Sequence, residues 1–226
     1  LADSLERYVD EWPFEWIIID NNSTDGTVDW LTQVNLKVSG NLIRNDENRS
    51  FAKANNQGAN VANGKYLLLL NNDTVVTSGF LESMVNVFGQ EKAVGIVGAR
   101  LANPGNAKIQ HAGVVELSGG LPDHAYFGFP IDHPKVMERK QYFGVTGACM
   151  MIPKQLYIEM GGLDEEYING WEDIDLCNKV KQAGYNIYYE PEALIYHYES
   201  RTPGRYKHDN QNMSLYLNRW VYGKNN

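Results

Sequence analysis

The sequence predicts an α/β fold built on a mostly parallel sheet with helices on both faces. Three observations carry that prediction. Tyr66–Leu70 (YLLLL) is a continuous apolar run of strand length, the pattern of a strand buried on both faces. Strand, loop and helix patterns alternate from Glu15 to Phe88, the order of a sheet whose crossovers are helices. Two of these strands, ending at Asp20 and Leu70, run straight into short Asp/Asn-rich loops, the place where open α/β sheets bind ligands.

Leu1, Leu5 and Val9 recur at helical spacing, so a helix is under way where the chain begins. Glu15–Asp20 (EWIIID) reads as a strand, Asn21–Gly26 as a turn-forming loop, Thr27–Gln33 as a short helix and Asn41–Arg44 as extended. Ser50 is suited to N-cap a helix over Ser50–Ala62, with Gly64 just past its end. After the Tyr66–Leu70 strand, Asn71–Val76 reads as its C-terminal loop and Gly79–Phe88 as the next helix. Val94–Leu101, Ile109–Leu117 and Tyr142–Ile152 have strand character, with a Gly/Pro/His-rich stretch at Gly119–Lys140. A helix at Glu172–Ala183 and two short strands, Tyr185–Tyr189 and Ala193–Tyr198, precede a basic, aromatic tail, Glu199–Asn226, with a helix at Asp209–Tyr222. Nothing repeats and no linker intervenes, so residues 1–226 read as one domain. A doubly wound sheet places its first strand centrally and before its first helix. Here a helix comes first, so the native chain is expected to begin earlier, by about one strand and half a helix. Strands Trp16–Ile19 and Tyr66–Leu70 are then expected to flank a gap or to pair raggedly.

Composition removes several classes. With 20 Lys+Arg against 28 Asp+Glu the formal charge is −8, which argues against a general nucleic-acid binder. At 43% hydrophobic and 21% charged residues the chain can bury a core. No apolar run reaches the roughly 20 residues of a membrane span. Leu1–Asp10 is too polar for a signal peptide. Two cysteines, Cys149 and Cys177, not in a CxxC pair, exclude a disulfide scaffold or a Cys-rich zinc site and favour a reduced, cytoplasmic setting.

Four clusters carry candidate chemistry. Asp20-Asn21-Asn22-Ser23 and Asn71-Asn72-Asp73 follow apolar strands, where Asp and Asn can bind a base, a ribose or a cation; equally, Asx-rich loops are good turn formers. Trp171-Glu172-Asp173 opens a helix, where carboxylates also serve as caps, but an exposed indole there suits a sugar ring. His197 alternates with Tyr196 and Tyr198 on a strand and so faces opposite to them, as a structural histidine or a metal ligand.

The ordered set IIIDNNSTDGT, NDENRSFAKANNQGA, YLLLLNNDTVV, GVTGACMMIPK, GGLDEEYINGWEDIDL and IYHYES resembles the family 2 glycosyltransferases of the GT-A fold. The likeness is greatest to bacterial rhamnosyltransferase-like and galactofuranosyltransferase-like members and runs from about Trp16 to Ser200. It implies a Rossmann-like sheet with a small antiparallel acceptor-side portion. Residues to about 100 would form a nucleotide-sugar half, about 101–200 an acceptor half, and 201–226 a tail. By the same resemblance Asp20 and Asn21 contact base and ribose, and Asn48 and Lys53 approach the nucleotide and its diphosphate. Asn71 and Asn72 share the D-x-D position with Asp73, which together with His197 holds Mn2+ or Mg2+. Asp173 is the catalytic base, and Trp171 and Glu172 shape the acceptor site. Two positions depart from the family pattern: Asn71 replaces the first D-x-D carboxylate, and Arg49 stands where many relatives carry Gly.

The implied activity is inverting transfer from a nucleotide-diphosphate sugar to a glycan or lipid-linked acceptor in surface polysaccharide synthesis, on the cytoplasmic side of a membrane. Arg201, Arg205, Lys207, Arg219 and Trp220 in the tail suit contact with an anionic lipid or diphosphate, or a packing helix with a solvated face. The rival reading is a non-catalytic nucleotide-sugar or glycan-binding module of the same fold.

Overall fold

The computed structural model describes residues 1–8, 12–33, 40–198 and 205–223. In chain order the elements are α1 (Ala2–Tyr8), β1 (Trp16–Asp20), α2 (Thr27–Gln33), β2 (Gly40–Arg44), α3 (Phe51–Val61), β3 (Tyr66–Leu70), β4 (Thr74–Val76), α4 (Phe80–Gln90) and β5 (Val94–Asn103). There follow β6 (Lys108–His111), β7 (Val114–Glu116), β8 (Pro122–His124), β9 (Lys140–Gln141), β10 (Cys149–Pro153), α5 (Lys154–Glu159), α6 (Glu172–Gln182), β11 (Asn186–His197) and α7 (Asp209–Tyr216), which continues as a π-helix over Leu217–Tyr222. Val9 and Arg201, which entered the sequence reading of the first helix and of the tail, lie outside the described residues.

The main sheet has the order β3-β10-β5-β11-β4, with β6 on β5 and β9 on β11. β3, β5 and β11 run one way: β5 and β11 pair in parallel, and β10 lies antiparallel between β3 and β5. β1 and β2 form a separate parallel ladder. Among the described residues no ladder joins β1 to β3.

Alternation along the strands sends two sets of apolar side chains to opposite faces. Leu67 and Leu69 of β3 with Met150 and Ile152 of β10 pack under α3, α5 and α6 through Ala52, Ala59, Leu156, Leu176 and Val180. Cys149 and Met151 with Val97 and Ala99 of β5 pack on the other face with Leu5, Phe80, Met84 and Val87 of α1 and α4. Both thiols are buried, and burial pushes each up to about 12, so neither is a thiolate at neutral pH.

Several sequence readings are corrected here. Asn71–Val76 is not all loop: Thr74–Val76 is β4, paired with β11. The strand expected at Ile109–Leu117 is broken, because Gly113 takes a φ of +99° and its Cα lies against the Tyr142 ring. The Tyr142–Ile152 strand begins only at Cys149, and α5 was not anticipated. The two short strands at the end are one, β11, with a bulge between Glu190 and Leu194. Pro191 lacks the N–H that a regular ladder needs there, and the Glu192 N–H is taken by the Glu190 carboxylate instead, at 2.9 Å.

The tail helix is fastened to α6 by polar groups. Fully buried Asp175 accepts from Trp220 Nε1 at 2.7 Å, Arg219 Nη1 at 3.1 Å and the Tyr167 hydroxyl at 3.3 Å, and Lys179 Nζ lies 2.9 Å from its second oxygen. Arg219 also binds Asp164 and Glu166, at 2.6 and 2.8 Å. Over Asp209–Tyr222 the tail is therefore a packed helix whose Arg219 and Trp220 face Asp175. Removing Asp175 takes the acceptor away from four donors around one buried position. Asp175→Ala is expected to lower stability by roughly 3 kcal/mol, read from urea unfolding at neutral pH; a loss within the ordinary surface range of about 0.5 kcal/mol would contradict this role.

Candidate active site

The site lies where β1, β3 and β11 end. Strand pairing places Asp73 and His197 together. His197 closes β11 and pairs with Thr74 of β4, one residue beyond Asp73. The Tyr198 N–H donates to the Asp73 carbonyl at 2.9 Å, which carries the match one residue further. The result sets His197 Nε2 3.1 Å from Asp73 Oδ1, with the Asn71 amide 3.5 Å from the same nitrogen. His197 is 4% exposed, so this pairing is made largely out of water. Asn72 is exposed on the same turn.

Asp173 approaches from the other side. Its two oxygens accept from Gly147 N–H and Ile174 N–H, each at 2.8 Å, and each oxygen keeps a further lone pair. The next residue, Ala148, accepts from Asn71 N–H at 3.0 Å. Gly147 and Ala148 thus tie the Asp173 helix start to the Asn71–Asp73 turn through one peptide. Glu172 is buried and turned back, its Oε2 accepting from Gly170 N–H at 2.7 Å. Trp171 was expected to be exposed; it is half-buried, its ring tilted on Tyr216 and its Nε1–H donating to Asp209 at 2.7 Å.

The nucleotide-side residues are more dispersed. Asp20 is buried at the end of β1 and accepts from Ser23 N–H at 3.3 Å. Asn21 spends both ends of its amide inside the protein, donating to the Arg49 carbonyl at 2.9 Å and accepting from Asn45 at 2.8 Å. Asn48 and Lys53 are exposed on the loop and first turn of α3. That helix start is fixed by the Ser50 cap, expected from sequence, and by Asn169, whose Oδ1 accepts from Phe51 N–H at 3.0 Å.

Sequence reasoning missed the residues that hold this frame. Asn45 and Gln57 exchange two amide bonds, at 3.0 and 3.1 Å, behind Asn21. Gln110 reaches His197 by both its amide atoms. His111, beside it, is fully buried and contacts His124 with its Nδ1 at 2.9 Å. Asn45 and Gln57 lie within the NDENRSFAKANNQGA segment, where nothing singles them out; for Gln110 and His111 the one signal was polar character inside an apolar strand pattern.

For a divalent cation, the oxygen of Asp73 and the nitrogen of His197 are a suitable convergent pair. Among the described residues no group of three His, Cys, Asp or Glu could hold a metal ion, so this pair would need ligands from a bound substrate or water.

The family model described as glycosyl transferase family 2 matches residues 1–161. The chain belongs to this family. A second model, the N-terminal domain of galactosyltransferase, matches residues 129–203 of the transferase. Among curated relatives, the uncharacterized protein y4gI of Sinorhizobium fredii is 35% identical over 84% of this chain and 22% of its own length. The O-antigen biosynthesis protein RfbC of Myxococcus xanthus is 28% identical over 88% of the chain, which spans only 16% of that relative. The N-acetylglucosaminyl-diphospho-decaprenol L-rhamnosyltransferase of Mycobacterium tuberculosis is 24% identical over 89% of the chain and 74% of the relative. In structure, GalNAc-T7 solved with UDP, GalNAc and Mn2+ aligns with a TM-score of 0.67 over 86% of this chain and 39% of that one, at 16% identity. The mannosyltransferase PcManGT of Pyrobaculum calidifontis, with GDP-Man and Mn2+, gives 0.64 over 95% and 60%, at 17% identity. The fold of this family 2 glycosyltransferase is GT-A. No helix among the described residues is long and apolar enough to cross a membrane.

Burial, and next the neighbouring His124 and His197, hold the His111 ring well below the usual imidazole value of 6.5. In the unfolded chain the ring titrates near that value, so below it the unfolded state gains a proton that the folded state refuses. His111 therefore contributes its full stability above pH 6.5, and that contribution is lost as pH falls from there toward the depressed folded value. Urea midpoints followed from pH 7.5 to 5 should fall for the wild type, and the fall should be shallower in His111→Gln by up to about 1.4 kcal/mol per pH unit. Parallel curves would contradict it.

Proposed function

We propose that the protein transfers a sugar, with inversion, from a nucleotide-diphosphate donor to a hydroxyl of a glycan or lipid-linked acceptor in surface polysaccharide synthesis. The observation that carries this reading is the 3.1 Å approach of Asp73 and His197 beside a turn that is tied to Asp173. The names of RfbC and of the rhamnosyltransferase support the acceptor class, and the neighbours solved with UDP or GDP-Man and Mn2+ support the donor class and the cation. The work is done by one domain acting at the cytoplasmic side of the membrane.

Asp73 and His197 would hold the cation, and Asn71 stands at their side. A nitrogen ligand favours Mn2+ over Mg2+, which prefers oxygen. The bound cation supplies Lewis-acid neutralisation of the departing diphosphate. Asp20 at the end of β1 faces the nucleoside, Asn21 holds the Arg49 loop that carries Asn48, and Lys53, exposed on the first turn of α3, meets phosphate charge. Asp173, held by two N–H groups and with a lone pair still on each oxygen, takes the proton of the acceptor hydroxyl on the face opposite the leaving group. Trp171 and Glu172 shape the acceptor side, Trp171 by its ring and Glu172 by holding Gly170.

Asp173→Asn keeps the shape and one of the two N–H partners, through its single oxygen, but cannot take a proton. It should lower nucleotide release from a panel of donors by about 10²–10⁴-fold while calorimetric donor binding stays unchanged. Asp73→Asn should weaken cation and donor binding together, and Glu172→Gln should retain turnover. If Glu172→Gln is inactive and Asp173→Asn turns over, the two roles are reversed. Donor binding by the wild type without transfer to any acceptor would favour the binding-module reading.

A further inference from the structure

Gln110 sits on β6, 7% exposed, and its side chain meets His197 twice. Nε2 donates to the His197 carbonyl at 2.8 Å, and Oε1 faces His197 Nδ1 at 3.2 Å. These two contacts leave no choice of orientation. A backbone carbonyl only accepts, so the NH2 end of the amide must lie on it and the oxygen must lie on the ring. An oxygen there requires a hydrogen on Nδ1. In the neutral ring the remaining nitrogen, Nε2, is then the lone-pair atom, and it is the one turned to Asp73 and Asn71. A hydrophobic side chain of equal length would fill the same space without setting the tautomer or the ring angle.

We propose that Gln110 is a positioning residue for the cation site: its amide grips the carbonyl and the Nδ1–H of His197, and so presents Nε2 to a divalent cation shared with Asp73. This rests on the cation reading given above and extends it to a residue that touches neither cation nor substrate. Outer partners of metal-ligating histidines act in this way, by fixing tautomer and orientation.

The test uses the whole chain. First, in protein labelled with 15N-histidine at alkaline pH, the His197 ring should show a protonated Nδ1 and a bare Nε2, assigned by its disappearance in His197→Ala. A wild-type ring protonated on Nε2 overturns the proposal without any Gln110 variant. Second, Gln110→Met, which keeps length and removes both hydrogen bonds, should give mixed tautomers and weaken Mn2+ binding, measured by calorimetry with a nucleoside diphosphate present, by about 10–100-fold. Gln110→Met with the wild-type ring spectrum and wild-type Mn2+ affinity overturns it. The cation reading fails separately: wild-type protein that takes up no Mn2+ removes the site itself, and with it the role given to Gln110, whatever the ring spectrum shows.

Discussion

A nearly buried imidazole held 3.1 Å from a carboxylate is a costly arrangement unless the strands beneath it are fixed in register. Two ladders do this. β11 lies along β5 for most of its length, and its last residues pair back onto β4, so His197 can sit only beside the turn that carries Asp73. The bulge at Glu190–Leu194 is part of the same constraint, because it shifts the register of the final residues of β11 against β5. Apolar packing on both faces holds those strands, and the amide of Gln110 holds the ring that they deliver. Asp173 and Asn71 are arranged around that point by the backbone groups of Gly147 and Ala148.

The loop before Asp173 has a different support. Residues 168–170 are held by Asn212 of α7, whose amide donates to Ile168 and Gly170 carbonyls at 3.0 Å and whose oxygen accepts from Ile168 N–H at 3.1 Å. Asp175 locks the same tail to α6. The tail that the composition marked as basic and aromatic therefore spends Arg219 and Trp220 on packing. The loop that leads to Asp173 is fastened to that helix, and the half-buried indole of Trp171 belongs to the same assembly.

Much of this was legible in the sequence, for physical reasons. Apolar runs with Asx loops after them located the strand ends, and Ser50 announced the start of α3 because an N-cap needs a side-chain oxygen there. The joining of Asp73 and His197 was reachable only through the family resemblance, since no local pattern links residues so far apart. What stayed hidden were contacts without a period. Gln110, Asn45 and Gln57 are single polar residues whose partners come from other elements. The break at Gly113 depends on a tyrosine ring arriving from the loop before Phe143, and β11 reads as two strands because Pro191 interrupts its pattern.

The central claim is that Asp73 and His197 hold one divalent cation between the fold and the diphosphate of the donor. Pulsed EPR of Mn2+ bound to the chain with a nucleoside diphosphate tests it most directly. The account predicts an imidazole nitrogen coupling and a phosphorus coupling on the same ion, with the nitrogen coupling absent in His197→Ala. Mn2+ that shows the phosphorus coupling but no nitrogen coupling in the wild type would contradict it.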